Sequence, residues 1–362
     1  MCSPLEIGNC GVAGRENMAI KKIAFAVTLL AVVCAGARSA RGQLLINGAG
    51  ATFPYPIYSQ WFDVYAKDNP NVHFNYQSIG SGGGIKQLLN KTVDFGASDA
   101  PMNDQQLSQA PIKVLHFPTV MGAVVVTYNV PGLSDSLRLS GPVIADIFLG
   151  KIAKWNDPAI AKLNPSAKLP DSNIVVCHRS DGSGTTYVFT DYLSKVSPEW
   201  IKEVGKGTAV KWPAGLGGKG NEGVTALVEQ SPGGVGYIEL IYAVQNKLPY
   251  AELKSHAGEW VKPSVETVTA AAAGAGSNIP SDFRVSITDA PGAGAYPISS
   301  FTYLLVYQQQ TDAAKGKAIK DFIKWMLNDG QHYAPGLSYA PLPAPVVSAE
   351  LAQLSKVVVS GD

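Results

Sequence analysis

Three runs of small residues constrain this chain more than any other feature. They are Asn47-Gly48-Ala49-Gly50-Ala51-Thr52-Phe53-Pro54, Ile79-Gly80-Ser81-Gly82-Gly83-Gly84 and Arg179-Ser180-Asp181-Gly182-Ser183-Gly184-Thr185-Thr186. Each follows a strand-like stretch: Leu44-Leu45-Ile46, the alternating residues 71–78, and Ile174-Val175-Val176-Cys177. Each precedes helical spacing: Ile57, Trp61, Phe62 and Tyr65; residues 85–90; and Val188, Tyr192 and Leu193. Strand, tight turn and helix in repeated order predict an α/β fold with parallel pairing. A helix start presents unpaired N–H donors and the positive end of the helix dipole. Ser183 stands where an N-cap belongs, Gly182 and Gly184 let the backbone approach a ligand, and Arg179 adds a planar fork of donors. The Arg179 turn is therefore a candidate anion site. The competing reading is an ordinary strand-to-helix turn with a surface Arg–Asp pair. Three such turns, each with a hydroxyl residue at the helix start, could serve one ligand.

The rest of the chain fits the same class. Residues 93–101 form a short strand that puts Asp99 at its C-terminal end, where open α/β sheets bind ligands; capping the next helix is its alternative role. Residues 114–129 are Val- and Thr-rich and read as a long strand, with Pro131-Gly132 after it as a hinge candidate. Helices are predicted at 144–149, 158–163, 187–193, 223–229, 316–327 and 349–357, and strands at 235–238, 296–298 and 302–307. Gly215, Gly217 and Gly220 match GxGxxG, but Pro213 occupies the place of the required strand, and Lys219 is followed by Gly220 rather than Ser or Thr. Nucleotide binding is rejected there, and residues 211–221 read as a flexible loop. The Ala/Gly-rich residues 270–276 also read as a loop. No internal repeat is present.

Composition removes several function classes. Of 362 residues, 46% are hydrophobic and 16% charged, which suits a globular chain of two domains. Lys21-Lys22, the apolar residues 23–33 and Ala35-Gly36-Ala37 have the layout of a secretory signal, with Met18 as the natural start and cleavage after Ala37 or Ala40. Lipid attachment at Cys34 is disfavoured because Val33 is too large. The formal net charge is +1, and residues 1–42 carry five basic and two acidic side chains, so the remainder is slightly acidic. Without a long basic run, a nucleic-acid role is not expected. After cleavage Cys177 is the single cysteine, which leaves no internal disulfide. The five histidines are scattered, so no metal site is expected. Neither Gly182-Ser183-Gly184 nor Gly80-Ser81-Gly82 has the GxSxG spacing of a nucleophile elbow, and His178 should point away from Arg179 across a strand, so no catalytic residues are assigned.

Taken in order, these motifs resemble the periplasmic phosphate-binding proteins of phosphate-specific ABC transporters. The resemblance includes Asp94-Phe95-Gly96-Ala97-Ser98-Asp99-Ala100-Pro101, Phe117-Pro118-Thr119, residues 148–157, residues 212–223 and Leu337-Ser338-Tyr339-Ala340-Pro341-Leu342-Pro343, and covers nearly all of the mature chain. It implies a two-lobed, type II-like binding-protein fold with two hinge crossovers and the ligand in the cleft. The signal region is then 1–42, lobe I 43–127, lobe II 128–247, and the return to lobe I 248–362. It further implies a phosphate site made of Thr52, Phe53 (by its backbone N–H), Ser81, Asp99, Arg179, Ser183, Gly184 and Thr185, with Asp181 orienting Arg179. His178 departs from the family, which often has a second Arg there. The implied partners are inorganic phosphate and the permease and ATPase subunits of a transporter. No cofactor is implied, and the protein is expected to be a periplasmic monomer.

An ionised carboxylate can only accept hydrogen bonds, so Asp99 beside an anion demands that the anion carry a proton. Phosphate does at neutral pH and sulfate does not; arsenate keeps the proton and should be poorly excluded. A phosphate-ester hydrolase using the same pocket is the alternative function, disfavoured by the missing metal cluster and nucleophile–base pair.

Overall fold

The long apolar stretch forms the strand around which the sheet is built. In the computed structural model, which describes residues 1–3, 43–133, 136–275 and 279–360, Val114–Asn129 is one continuous strand (β4), buried along all but its last residue. The predicted signal segment, with Met18 and Cys34, lies outside the described residues. Before β4 come β1 (Leu44–Gly50), β2 (Val72–Ser78) and β3 (Phe95–Ser98). After it come β5 (Arg138–Leu139), β6 (Val175–Arg179), β7 (Leu216–Gly218), β8 (Gly234–Glu239), β9 (Glu252–Lys254), β10 (Trp260–Val261) and β11 (Ser299–Tyr307).

The main sheet has the order β2-β1-β3-β11-β4-β8-β6-β7. Strands β1, β2 and β3 pair in parallel, as do β6, β7 and β8. The antiparallel pair β4–β11 joins these triplets. Along β4 the partner changes from β11, up to Ala123, to β8, from Val124. One strand thus belongs to both halves. Pro131-Gly132 lies beyond this change, in an exposed turn. Strands β5, β9 and β10 form a small separate sheet, so residues 252–261 pair with the segment that follows β4.

Each triplet is covered by helices through aromatic packing. Helix Tyr55–Asp68 buries Ile57, Trp61, Phe62 and Tyr65, the stripe expected from its spacing. Phe62 stacks on Phe74 at 4.9 Å, and Phe74 meets Phe322 of helix Ala313–Asn328 at 4.5 Å. In the other half Phe189, on helix Gly184–Val196, stacks on Tyr237 at 4.3 Å, and Trp212 lies 5.6 Å from Tyr237. Phe/Trp→Ala changes at such places cost about 3–5 kcal/mol.

Among the elements that differ from the sequence expectation, residues 296–298 are not a strand but lead through a turn into β11. The helix predicted to begin at Ile85 begins at Ser81, because Gly82, Gly83 and Gly84 take helical geometry. Residues 211–221 contain β7, whose small residues add a strand parallel to β6. The Ala/Gly stretch is helical through Gly274, within Val265–Gly274. A Ser264–Thr267 capping box starts that helix, and alanine has the best intrinsic helix propensity. The last helix is Ala344–Leu354, begun by prolines at its first turn, and strand Val358–Val359 follows it.

Glu350, on that last helix, is fully buried and neither carboxyl oxygen has a partner among the described residues. Burial holds its pKa well above the carboxylate range. A carboxyl raised in the folded state favours folding below the unfolded pKa of about 4.3 and loses that contribution as pH rises. Glu350→Gln should therefore raise Tm by a few degrees at pH 8, consistent with about 1–3 kcal/mol for an unsatisfied buried group. The gain should shrink at pH 5 in a thermal-melt comparison. Equal gains at both pH values would show that Glu350 is not destabilised by ionisation.

Candidate anion-binding site

All eight predicted ligand residues lie where the C-terminal ends of the two parallel triplets meet. Thr52 and Phe53 follow β1, Ser81 follows β2, and Asp99 follows β3. Arg179 ends β6, and Ser183, Gly184 and Thr185 open helix Gly184–Val196. Each of the eight is less than about a tenth exposed.

The second half presents a formal positive charge. Arg179 donates from Nε to Asp181 Oδ1 at 2.8 Å and from Nη2 to Asp181 Oδ2 at 2.6 Å, the forked pairing expected of them. Nη1 reaches Thr185 Oγ1 at 3.4 Å. One further N–H on each terminal nitrogen stays uncommitted by these bonds. Burial pushes the Asp181 carboxyl up, but Arg179 and the Gly220 N–H outweigh this and hold it below the ordinary range. Ser183 accepts the Thr186 N–H at 3.0 Å as the N-cap. His178 lies outside this group: it stacks on Trp212 at 4.8 Å, as strand alternation requires.

The first half presents hydroxyls and one carboxyl. Ser81 Oγ accepts the N–H of Asp99 at 3.3 Å and that of Gly184 at 3.0 Å. Thr52 Oγ1 accepts both N–H groups offered by Asn221, the backbone at 3.2 Å and Nδ2 at 2.7 Å. A hydroxyl whose lone pairs are taken has only its proton left to give. Phe53 buries its ring against Gly122 and gives its carbonyl to Tyr339. Its backbone N–H has no acceptor among the described residues.

Asp99 differs from these donors. Its Oδ1 accepts the Thr302 hydroxyl at 2.8 Å, while Oδ2 is buried without a partner among the described residues. Burial pushes its pKa up to about 7, against the lowering effect of the Thr302 hydrogen bond and of Arg179. The alternative role fails, since Asn103 caps the following helix through a capping box with Gln106. The arrangement therefore offers several directed donors and a single group that can accept or share a proton.

The two halves touch directly at this place. Beyond the Ser81–Gly184 bond, Gly82 donates to the Gly182 carbonyl at 2.8 Å, and Tyr242 OH reaches the Thr52 carbonyl at 2.6 Å. A Cβ at position 184 would overlap the Asp99 carboxylate and the Ser81 hydroxyl. A ligand entering here must part the halves and take over the Ser81–Gly184 contact.

Asn221, Thr302 and Tyr242 carry no sequence signal that marks them as part of this site. The Thr302 hydroxyl reaches Asp99 from β11, where the pairing with β4 shifts between Thr302 and Tyr303 because Thr119 of β4 is passed over, an irregularity that no local pattern announces. Asn221 was hidden in the supposed flexible loop, and Gly220 before it takes φ +73° to turn the chain from β7 into helix Gly220–Gln230.

The family model for the PBP superfamily domain matches residues 35–330. A phosphate-binding protein PstS from Xylella fastidiosa is 51% identical over 303 residues, covering 83% of this chain and 82% of the relative. A protein of the same name from Pasteurella multocida is 49% identical, covering 88% and 92%. Among solved structures, a high-affinity periplasmic phosphate-binding protein bound with phosphate superposes with a TM-score of 0.68 at 23% identity, covering 85% of this chain and 93% of that one. A phosphate-binding protein from Stenotrophomonas maltophilia gives 0.66 at 19% identity, covering 85% and 93%. These matches identify the fold as that of two-lobed binding proteins.

If the contact at Gly184 sets the closest approach of the lobes, Gly184→Ala should hold them apart. Small-angle scattering of the ligand-free protein should give a larger radius of gyration than the parent. An unchanged radius would mean that the Ser81–Gly184 contact is not formed in solution.

Proposed function

Since this chain belongs to the family of phosphate-binding proteins that serve phosphate ABC transport, we propose that the buried cluster around Asp99 and Arg179 is its phosphate site. The protein binds inorganic phosphate for delivery to a transporter. In this reading Thr52, Ser81, Ser183 and Thr185 give hydroxyl protons, Phe53 and Gly184 give backbone N–H groups, and Arg179 supplies the charge. Asp181 holds the guanidinium in plane. Lobe I is 43–127 with the return segment 248–362, and lobe II is 128–247. The lobes close on the anion by a hinge motion, and the closed form docks on the permease and ATPase assembly. The protein acts as a periplasmic monomer after cleavage behind Ala37 or Ala40, within the signal region 1–42, and it performs no catalysis.

The observation that carries this reading is the unpartnered Oδ2 of Asp99, buried among donors. A site meant for any oxyanion would gain nothing from a carboxyl there. A site meant for a protonated oxyanion needs one acceptor, and phosphate near neutral pH supplies the matching O–H. Arg179, the dipole of helix Gly184–Val196 and the neutral hydroxyls balance the anion without a fully basic pocket.

Calorimetric titration after unfolding, dialysis and refolding tests the function directly. Phosphate should bind one to one, sulfate at pH 8 should bind about 10⁴-fold more weakly or not at all, and a generic phosphate ester should not be hydrolysed. Equal binding of both anions would discard the selectivity mechanism, and ester turnover would favour a hydrolase.

The Asp99 pKa near 7 gives a second test. Below it the carboxyl is protonated and can donate to sulfate; above it the carboxylate repels sulfate. Sulfate affinity should rise roughly tenfold from pH 8 to pH 5.5, the ratio of protonated fractions. In Asp99→Asn, sulfate binding should be stronger at pH 8 and lose this pH dependence. A parent protein with equal sulfate affinity at both pH values would remove Asp99 from the selectivity role.

A further inference from the structure

Asn221 is fully buried at the start of helix Gly220–Gln230 and uses every polar atom of its side chain. Its Oδ1 accepts the backbone N–H of Glu239, the last residue of β8, at 3.0 Å. Because an N–H can only donate, this bond sets the orientation of the amide. Nδ2 is then turned toward two hydroxyls from opposite halves: Thr52 at 2.7 Å and Thr185 at 3.2 Å. Thr52 also receives the Asn221 backbone N–H, and Thr185 receives Arg179 Nη1. Both oxygens are thus filled as acceptors, and each hydroxyl has only a proton to offer elsewhere.

We propose that Asn221 is the positioning residue that makes Thr52 and Thr185 obligate donors toward the anion and couples them across the cleft. The proposal rests on the phosphate-binding reading of this site. Its physical content is the polarity of two hydroxyls. Without Nδ2, each threonine is free to rotate and present a lone pair to an anionic oxygen, which is repulsive. Flipping the amide does not restore the array, because Nδ2 would then face the Glu239 N–H and Oδ1 would take the threonine protons. The contact to Thr52 joins helix Gly220–Gln230 to the chain after β1, so it forms only when the halves meet. Ligand orientation and closure are therefore linked through one side chain.

The test is a double-mutant cycle read by calorimetric titration with inorganic phosphate, using the parent, Asn221→Ala, Thr52→Val and the double variant. Asn221→Ala should weaken phosphate binding about 10–100-fold, as expected for losing two directed hydrogen bonds in a buried site. The double variant should bind no more weakly than the poorer single variant, because both changes remove the same device. A residue that only supports the fold would instead give additive losses and a lower Tm without ligand. If Asn221→Ala does not fold, Asn221→Leu runs the same cycle, since it nearly keeps the volume, removes both Nδ2 donors and brings no negative charge to the anion. Additive losses, or parental affinity in the Asn221 variant, would overturn the proposal. A parent protein that binds no phosphate would overturn the functional reading itself, and the proposal with it.

Discussion

A carboxyl group buried without a partner for one of its oxygens is expensive, and Asp99 is such a group. The surrounding structure is arranged so that the cost stays bounded. Thr302 engages one oxygen, Arg179 lies close enough to favour ionisation, and burial opposes both, which leaves the pKa near neutrality. A group poised there can accept a proton from a ligand or give one to it. Almost everything else at the site is a donor, so in the proposed reading Asp99 decides which anions fit. Glu239 has the same pattern: it is buried and raised by desolvation, one oxygen accepts the Ile241 N–H at a helix start, and the other has no hydrogen-bond partner among the described residues.

The donors are directed by filling their lone pairs. Ser81 receives two backbone N–H groups, one from each half. Thr52 and Thr185 are filled by Asn221 and Arg179. Charge therefore enters the site only once, through Arg179, and Asp181 partly offsets it while fixing its plane. Glycines make the approach possible: Gly80, at φ +87°, lies against Asp181, and Gly184 lies against Asp99 and Ser81. Side chains at these places would keep the halves apart.

The sheet explains how the two halves of the fold can meet so closely at the site. Parallel triplets put the ends of β1, β2 and β3 on one side of the cleft and those of β6, β7 and β8 on the other. The β4–β11 pair joins them, and β4 changes partner midway. Thr302, which holds Asp99, lies where the register of this same joining pair shifts, so Asp99 is supported from the strands that connect the halves.

The sequence by itself determined the α/β class, the long β4 strand, the aromatic stripe of helix Tyr55–Asp68, and the Arg179 and Ser183 turn. These depend on periodicity, capping and small-residue turns within a few neighbouring positions, so local chemistry is enough to read them. The motifs taken in order also pointed to a phosphate site with Asp99 as its acceptor. Tertiary structure alone decided that Asn221 links Thr52 to Thr185 and that Thr302 holds Asp99. The Thr52–Asn221 and Asp99–Thr302 contacts join residues 169 and 203 positions apart. It also decided that residues 216–218 extend a sheet instead of forming a loop and that the Ala-rich segment closes a helix. Contacts made across a cleft, and strands that exist only because a neighbour pairs with them, leave no periodic trace in the chain that makes them.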